Sequence, residues 1–391
     1  MDPISLEGLG ALDTLLTEEE QLVRASARQF VAEKVLPHIA EHFENQTFPD
    51  ELARELGAMG WLGAHLEGYG CAGVNMVSYG LMLQELEYGD SGLRSFVSVQ
   101  GSLAMYAIHR FGSEAQKERL LPRMAAGELI GCFGLTEPDH GSDPGGMRTV
   151  ARSDGDGYVL NGNKAWITSA PVADVAVVWA KLDGDTARHI RGFIVERGAA
   201  GFETPPMRNK MSMRASHTGE IVLTDCRVPR ESLLPLSDGL GSPLAALNQA
   251  RLGIAWGAVG AGKACFHAAL EYARSRVQFG RPIGSKQLVQ RQLVEMALEL
   301  TKADLMNLHF SRLAEQGRIT PYHVSLAKQN SVRQALRVAR MARALHGANG
   351  ISLEYSPIRH MLNLESVYTY EGTDEMHTLI VGEGLTGHSA F

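Results

Sequence analysis

Several stretches of this 391-residue chain carry residue types that can do chemistry. Near the C-terminus stands Tyr370-Glu371-Gly372-Thr373. Thr373 suits the N-cap of a last helix, so the tetrapeptide reads as a loop. A carboxylate just before a helix can project into a cleft and work there as an acid or base. Cys132-Phe133-Gly134-Leu135-Thr136-Glu137-Pro138, then Gly141-Ser142-Asp143, reads as a strand and a proline turn; Trp166-Ile167-Thr168 reads as part of a hairpin. Arg276-Val277-Gln278-Phe279-Gly280-Arg281-Pro282-Ile283 reads as a helix end and a Gly/Pro turn. Arg94 and Ser98 lie four residues apart on one face of a predicted helix. Glu87 stands across the Gly89–Gly92 turn. An arginine fork there can hold a carboxylate, and it can equally form a plain ion pair with Glu87.

Other spellings lead nowhere. Gly257-Ala258-Val259-Gly260-Ala261-Gly262-Lys263 fits a phosphate loop up to the lysine, but Ala264 follows where a hydroxyl is required. The run also lies inside a helical pattern with no strand before it, so small residues that let helices pack closely are the better account. No GxGxxG follows a strand. No HExxH pattern occurs among the fourteen histidines, and His140, His346 and His377 read as surface or packing residues, so no metal site is expected. No GxSxG elbow supports a serine hydrolase.

The elements that must position these residues fall into three blocks. Residues 1–127 read as helical. Thr17 and Glu20 form a capping box before a helix that carries Leu22, Phe30 and Val31 and ends near Pro37. Leu52, Leu56 and Met59 give a second amphipathic stretch. Ser91 is placed as the cap of a helix from Leu93 towards Phe111, and Ser113 with Gln116 repeats the capping pattern. Residues 128–236 turn to short β-favouring runs: Leu129–Leu135, Tyr158–Leu160, Ala165–Thr168, Val175–Trp179, Gly192–Val195 and Glu220–Leu223. Asn161-Gly162 between two of them predicts a hairpin turn. Residues 237–391 are helical again, with long segments at Pro243–Val277, Ser285–Gln316 and Pro321–His346 that suggest an antiparallel bundle. The fold class is therefore α+β, in α–β–α order.

Composition excludes some functions. The chain is 45% hydrophobic and 21% charged, with a formal net charge of −7, a poor footprint for nucleic acid. Cys71, Cys132, Cys226 and Cys265 form no CxxC pair, which argues against a disulfide framework. No apolar run approaches the ~20 residues needed to cross a bilayer. Met1–Gly10 lacks the character of a secretory signal, so the expected location is the cytoplasm, or an organelle matrix if a transit peptide was removed.

Taken together, Leu-Thr-Glu-Pro, Trp-Ile-Thr, Arg-x-Gln-Phe-Gly and Glu-Gly-Thr occur in the order and spacing of the acyl-CoA dehydrogenases, and the chain resembles that family over nearly its whole length. The resemblance implies an N-terminal helical domain, a middle β domain and a C-terminal four-helix bundle. It implies FAD as cofactor, a homotetramer, and electron-transfer flavoprotein as electron acceptor. Glu371 is then the catalytic base. Phe133, Leu135, Thr136, Trp166 and Thr168 flank the flavin ring, and Ser142 touches FAD or the CoA arm. Arg276, Gln278, Phe279 and Gln287 hold the far end of FAD from a neighbouring subunit, as do Leu345, Gly347 and Gly350 of the Leu345–Gly350 turn. Thr373 and Glu375 close over the cofactor, and Asn248 and Arg251 lie near the base.

The stretches Glu87–Gln100, Asn363–Val367 and Tyr370-Glu371 further resemble glutaryl-CoA dehydrogenases of the decarboxylating sort. On that resemblance Glu87, Arg94, Ser98 and Tyr370 bind glutaryl-CoA, which is converted to crotonyl-CoA and CO2. The alternatives are a glutaryl-CoA dehydrogenase that does not decarboxylate, a dehydrogenase of a neutral short-chain acyl-CoA, a flavin- or acyl-CoA-binding protein without turnover, and a flavin oxidase on the same fold.

Overall fold

The computed structural model describes residues 4–183 and 189–390; Met1, Asp2 and Pro3 of the N-terminal stretch lie outside them. The N-terminal block contains α1 (Leu6–Gly10), α2 (Glu18–Phe30), α3 (Ile39–Asn45), α4 (Leu52–Ala58), α5 (Met76–Gly89), α6 (Ser91–Ser98), α7 (Tyr106–Phe111) and α8 (Glu114–Ala125). Both capping boxes form: the Thr17 and Ser113 hydroxyls accept from the backbone of Glu20 and Gln116, whose side chains accept in return. Leu22 is 70% exposed, because α2 buries its other face, with Glu20, Arg24, Ala27 and Phe30. Asp90 rather than Ser91 caps α6, its Oδ1 accepting from Gly92 N at 2.7 Å. Arg359 and Asn363 already anchor the Asp90 carboxylate there.

The expected helix from Leu93 to Phe111 is interrupted by a wide π-helical segment, Val99–Met105. Two constraints coincide at that point. A Cβ on Gly101 would stand 2.8 Å from Gly63 N, and the Gln100 side chain reaches out to Met124 O, Leu129 O and Gly131 N. Segments of this kind inside α-helices are rare and frequently lie at functional sites.

The middle block holds β1 (Gly131–Gly134), β2 (Val150–Asp154), β3 (Gly157–Thr168), β4 (Val175–Leu182), β5 (Ile190–Glu196), β6 (Phe202–Glu203) and β7 (Thr218–Pro229). They form one sheet in the order β1-β4-β2-β3-β7-β6, with β5 paired to β4. Period-two alternation is clean in β4: Val175, Val177 and Trp179 join a core with α7 and α8, while Ala176, Val178 and Ala180 join a second core with β7.

The predicted hairpin at Asn161-Gly162 does not form. β3 runs straight through it, with a register shift between Leu160 and Gly162. Asn161 bonds Asp225 across the ladder instead of turning. Gly162 serves close approach, since a Cβ there would meet Thr149 Oγ1 at 2.4 Å. The real turn links β2 and β3 at Gly155, whose φ is 61°.

The last block contains α9 (Gly241–Ser275), α10 (Gln287–Glu315), α11 (Pro321–Leu345), α12 (Ser356–Thr369) and α13 (Asp374–Thr386), with a small hairpin of β8 (Val277–Gln278) and β9 (Arg281–Pro282) after α9. α9 spans about 52 Å at ~1.5 Å per residue. It is buried continuously from Ala250 to Ala264, and it presses against α5, which is itself buried on nearly every side. The glycines of the false phosphate loop make this approach possible: a Cβ on Gly260 would fall 1.9 Å from Gln84 O, and one on Gly257 would fall 2.1 Å from Glu87 Oε2. Lys263 of the same run binds Asp304 and Gln84 inside the protein. Among the described residues no helix is long and apolar enough to cross a membrane.

Candidate active site

The residues singled out around Glu371 come together where α5, α6, α9 and α11 meet the loop between α12 and α13. The loop exists because α12 stops at Thr369 and α13 begins at Asp374, with the Thr373 hydroxyl capping Met376 N at 3.3 Å. Between them Glu371 and Gly372 have φ of 51° and 97°. For glutamate this left-handed conformation costs on the order of 1–3 kcal/mol and persists only where the surroundings enforce it.

Two buried cations enforce it. Arg251 Nε, on α9, donates to Glu371 O at 2.8 Å, while its Nη1 donates to Asn248 Oδ1. Lys328 Nζ, on α11, donates to Tyr370 O at 3.0 Å and Gly372 O at 2.8 Å. Three successive carbonyls are thereby held. Gly372 itself has no room for a side chain: a Cβ would stand 2.9 Å from His377 Nε2 and 3.3 Å from Arg251 Nη2.

Glu371 Oε2 is shielded from solvent and has no hydrogen-bond partner among the described residues. Burial raises its carboxyl to about 6, against the opposing pull of Arg94, Arg251 and Lys328. Such a group is ionised at neutral pH yet basic enough to take a proton from carbon.

Opposite stands the arginine. α6, buried along its whole length, carries both Arg94 and Ser98, and α5 delivers Glu87. Arg94 Nε donates to Glu87 Oε2 at 2.5 Å; Ser91 Oγ donates to Glu87 Oε1 at 2.7 Å; Arg94 Nη2 donates to the Tyr370 hydroxyl. Arg94 Nη1 has no partner among the described residues, and neither has the buried Ser98 Oγ. Burial opposes the arginine's charge, but Glu87 and Tyr370 more than offset it and hold the guanidinium protonated. Burial pushes the Tyr370 hydroxyl well above its usual range. The cluster thus offers unfilled donors near a buried carboxylate.

The other singled-out residues form two separate groups. Phe133 and Leu135 point into the core, where Phe133 lies 5.8 Å from Trp179. Thr136 and Thr168 are half-buried, and Trp166 is 63% exposed with φ of 61°. The ion pair of Lys164 with Glu137 ties these segments together: Lys164 Nζ reaches Glu137 Oε1 at 2.9 Å and Leu135 O at 3.1 Å. Ser142 is exposed beyond them. Arg276, Gln278, Phe279 and Gln287 are also exposed, Phe279 to 93%. They share one end of the bundle with the Leu345–Gly350 turn, where Tyr272 stacks on His346 at 4.4 Å and meets Asn349. No hydrogen bond or ion pair among the described residues joins this end to Thr136 or Trp166. Glu375 is exposed on the first turn of α13.

Sequence reasoning passed over Lys328. Its signal was a lysine on the apolar stripe of α11, in register with Val324, Ser331, Val332 and Ala335, all buried.

Three family models cover the chain in order: "Acyl-CoA dehydrogenase, N-terminal domain" over residues 17–128, the middle domain over 132–226 and the C-terminal domain over 237–386. The chain belongs to the acyl-CoA dehydrogenase family. It is similar to the crystal structure of glutaryl-CoA dehydrogenase from Mycobacterium smegmatis, with 53% identity, full coverage of both chains and a TM-score of 0.97. A second structure of a glutaryl-CoA dehydrogenase from that organism, in complex with FADH2, is 51% identical, again with full coverage of both chains and a TM-score of 0.97. Glutaryl-CoA dehydrogenase of Desulfococcus multivorans is 34% identical over 379 residues, covering 95% of this chain and 97% of its own.

This acyl-CoA dehydrogenase is an FAD-dependent oxidoreductase. Its surface fits that cofactor. Trp166 presents a wide apolar ring at the end of β3 in a strained backbone, and Glu371 Oε2 is a buried acceptor left without a partner among the described residues.

Proposed function

We propose that this acyl-CoA dehydrogenase oxidises glutaryl-CoA and releases CO2, yielding crotonyl-CoA. The observation that carries the reading is Arg94, buried at 1% exposure, oriented by Glu87 and Tyr370 through Nε and Nη2, with the unpartnered Ser98 Oγ one turn further along α6. A desolvated distal carboxylate needs such a fork and hydroxyl. The 51–53% identity to glutaryl-CoA dehydrogenases supports the same reading.

Bound FAD supplies the acceptor for the hydride leaving Cβ. It would be held by Thr136, Trp166 and Thr168 with the backbone of Phe133–Leu135, by Ser142, and by Thr373 and Glu375 at the closing loop. Arg276, Gln278, Phe279 and Gln287, with the Leu345–Gly350 turn, would reach the far end of a neighbouring copy's cofactor. Their exposure in the single chain supports a homotetramer.

Glu371 removes the Cα proton. The Glu371 N–H donates to no carbonyl among the described residues and would polarise the thioester carbonyl as negative charge develops. Arg94 and Ser98 hold the distal carboxylate until it leaves as CO2. The protonated Glu371 then returns its proton to the remaining carbanion, giving crotonyl-CoA. Electron-transfer flavoprotein would take the electrons onward.

One observation favours a neutral short-chain substrate instead: Glu87 already pairs with Arg94, so the arginine charge is balanced without substrate. Incubation of the purified yellow protein with glutaryl-CoA and an artificial electron acceptor, read by mass spectrometry, decides. Crotonyl-CoA and CO2 are expected. Glutaconyl-CoA alone would remove decarboxylation, and flavin bleaching by butyryl-CoA but not glutaryl-CoA would overturn the substrate.

A further inference from the structure

Lys328 poses a question that hydrogen bonding alone does not answer. It is 1% exposed, and its ammonium directs its donors at main-chain oxygens: Gly372 O at 2.8 Å, Tyr370 O at 3.0 Å and, more weakly, Tyr368 O at 3.5 Å. No carboxylate contacts it among the described residues. Asp374, the anion on the adjoining helix end, is occupied by a bidentate grip from Arg333. A neutral amide side chain could serve two of these carbonyls without the cost of burying a charge. That cost is visible, for burial pulls the Lys328 ammonium down to about 7. A charge kept at such expense, next to the loop that carries Glu371, points to a use for the charge itself.

We infer that Lys328 is a positioning residue for Glu371: it locks the backbone on both sides of the carboxylate and supplies the positive potential that keeps the carboxylate ionised. The inference rests on the reading of Glu371 as the base. Glu371 is faced by Tyr79 from α5, Arg94 from α6, Arg251 from α9, Lys328 from α11 and the adjoining Tyr370; Glu87 of α5 stands behind Arg94 and Tyr370, and Asp374 and His377 at the start of α13 stand by Lys328. His377 is held neutral by burial, at about 3, and Asp374 is neutralised by Arg333. Arg94 is bound to Glu87, and Arg251 spends its Nε on Glu371 O. Arg251 and Lys328 are thus the cations with no carboxylate ligand of their own; both fields fall on Glu371, and of the two it is Lys328 that also holds the carbonyls on either side of it. Because the loop holds Glu371 at φ 51° and Gly372 at φ 97°, releasing its carbonyls also frees the backbone to relax away from that geometry.

The test uses FAD-loaded Lys328→Met and Lys328→Gln beside the wild type and Glu371→Gln, with kcat on glutaryl-CoA followed against pH. Both lysine variants should show the acid limb of kcat moved upward by about one pH unit, the effect of removing a nearby opposite charge. Lys328→Met should also lose roughly 10- to 100-fold in plateau kcat, as a misplaced base does. Lys328→Gln keeps an amide donor for the carbonyls and should lose less than about 10-fold. A purely structural lysine would lower activity or FAD content without moving the limb. Acid limbs that coincide with wild type in the FAD-loaded variants overturn the inference, and if Lys328→Met does not load FAD, the Lys328→Gln limb alone decides. An inactive Glu371→Gln together with unmoved limbs refutes only the role of Lys328. A Glu371→Gln that still turns over refutes the base, and with it the inference.

Discussion

Gly257→Ala is a one-carbon test of how Arg94 is held. Gly257 lies on α9 behind the Glu87–Arg94 pair, and a Cβ there would stand 2.1 Å from Glu87 Oε2 and 3.0 Å from Arg94 Nε. Real Cβ contacts do not fall below about 3.0 Å, so the carboxylate must retreat by about 0.9 Å. It has no slack, because Ser91 holds its other oxygen at 2.7 Å and the side chain is fully buried. The retreat therefore passes to Arg94. Overpacking of this kind costs about 1–3 kcal/mol of stability. A displacement near 1 Å in a substrate-orienting group costs roughly 100-fold in turnover. If Arg94 holds the distal carboxylate as proposed, the cost should fall on glutaryl-CoA and spare butyryl-CoA to within about 5-fold. Gly262→Ala is the control: its Cβ meets Leu300 Cδ2 at 2.6 Å, a flexible end remote from Glu87. It should destabilise without changing the ratio of the two substrates. Steady-state kcat/KM on both thioesters, with FAD content as the check on folding, measures the effect. Equal losses on glutaryl-CoA and butyryl-CoA in Gly257→Ala would refute the chain of reasoning from α9 through Glu87 to Arg94.

Other perturbations act on the same geometry. Arg94→Ala should lose glutaryl-CoA turnover by far more than butyryl-CoA turnover; parallel losses in the two assays would make Arg94 structural. Glu371→Gln should stay yellow and lose dehydrogenation, seen as flavin that no longer bleaches with substrate, and full activity would exclude it as the base. Since Glu371 must be ionised to accept a proton and is raised to about 6, kcat in the wild type should fall as pH drops through that value; a flat profile down to the ordinary carboxylate range would contradict its burial. Lys164→Met leaves Glu137 as an unpaired buried carboxylate and should cost about 3–5 kcal/mol, measured by denaturant unfolding together with FAD retention.

Much of this was legible before any coordinates. The capping boxes at Thr17 and Ser113 and the N-cap at Thr373 are local chemistry, complete within four residues, and the structure repeats them. The long apolar segments marked α9, α10 and α11 to within a few residues. Misreadings came where distant contacts override local preference. Asn161-Gly162 has the composition of a turn, but the glycine answers to Thr149 and the asparagine to Asp225. Ser91 is a good cap by type, yet Asp90 takes the position because Arg359 and Asn363, 269 and 273 residues on, fix its carboxylate. At the site, Glu87, Arg94 and Ser98 could be grouped by helical spacing. Their meeting with Tyr370 depends on how α12 and α13 return to α6, which spacing cannot reveal. Lys328 was passed over for a related reason: its partners are backbone oxygens, which carry no residue identity, and only its place on the apolar stripe of α11 marked it.

Trp166 gives the protein an optical handle. The chain has four tryptophans. Trp61, Trp179 and Trp256 are sealed in the interior at 6%, 0% and 0% exposure, while Trp166 stands 63% open to water. Emission from the interior three should be blue-shifted and protected from a dissolved quencher such as iodide, so the quenchable, red-shifted fraction of the fluorescence reports on a single side chain at the rim of the β domain. Anything that settles over that rim is then readable as a change in one indole, in solution and without a label.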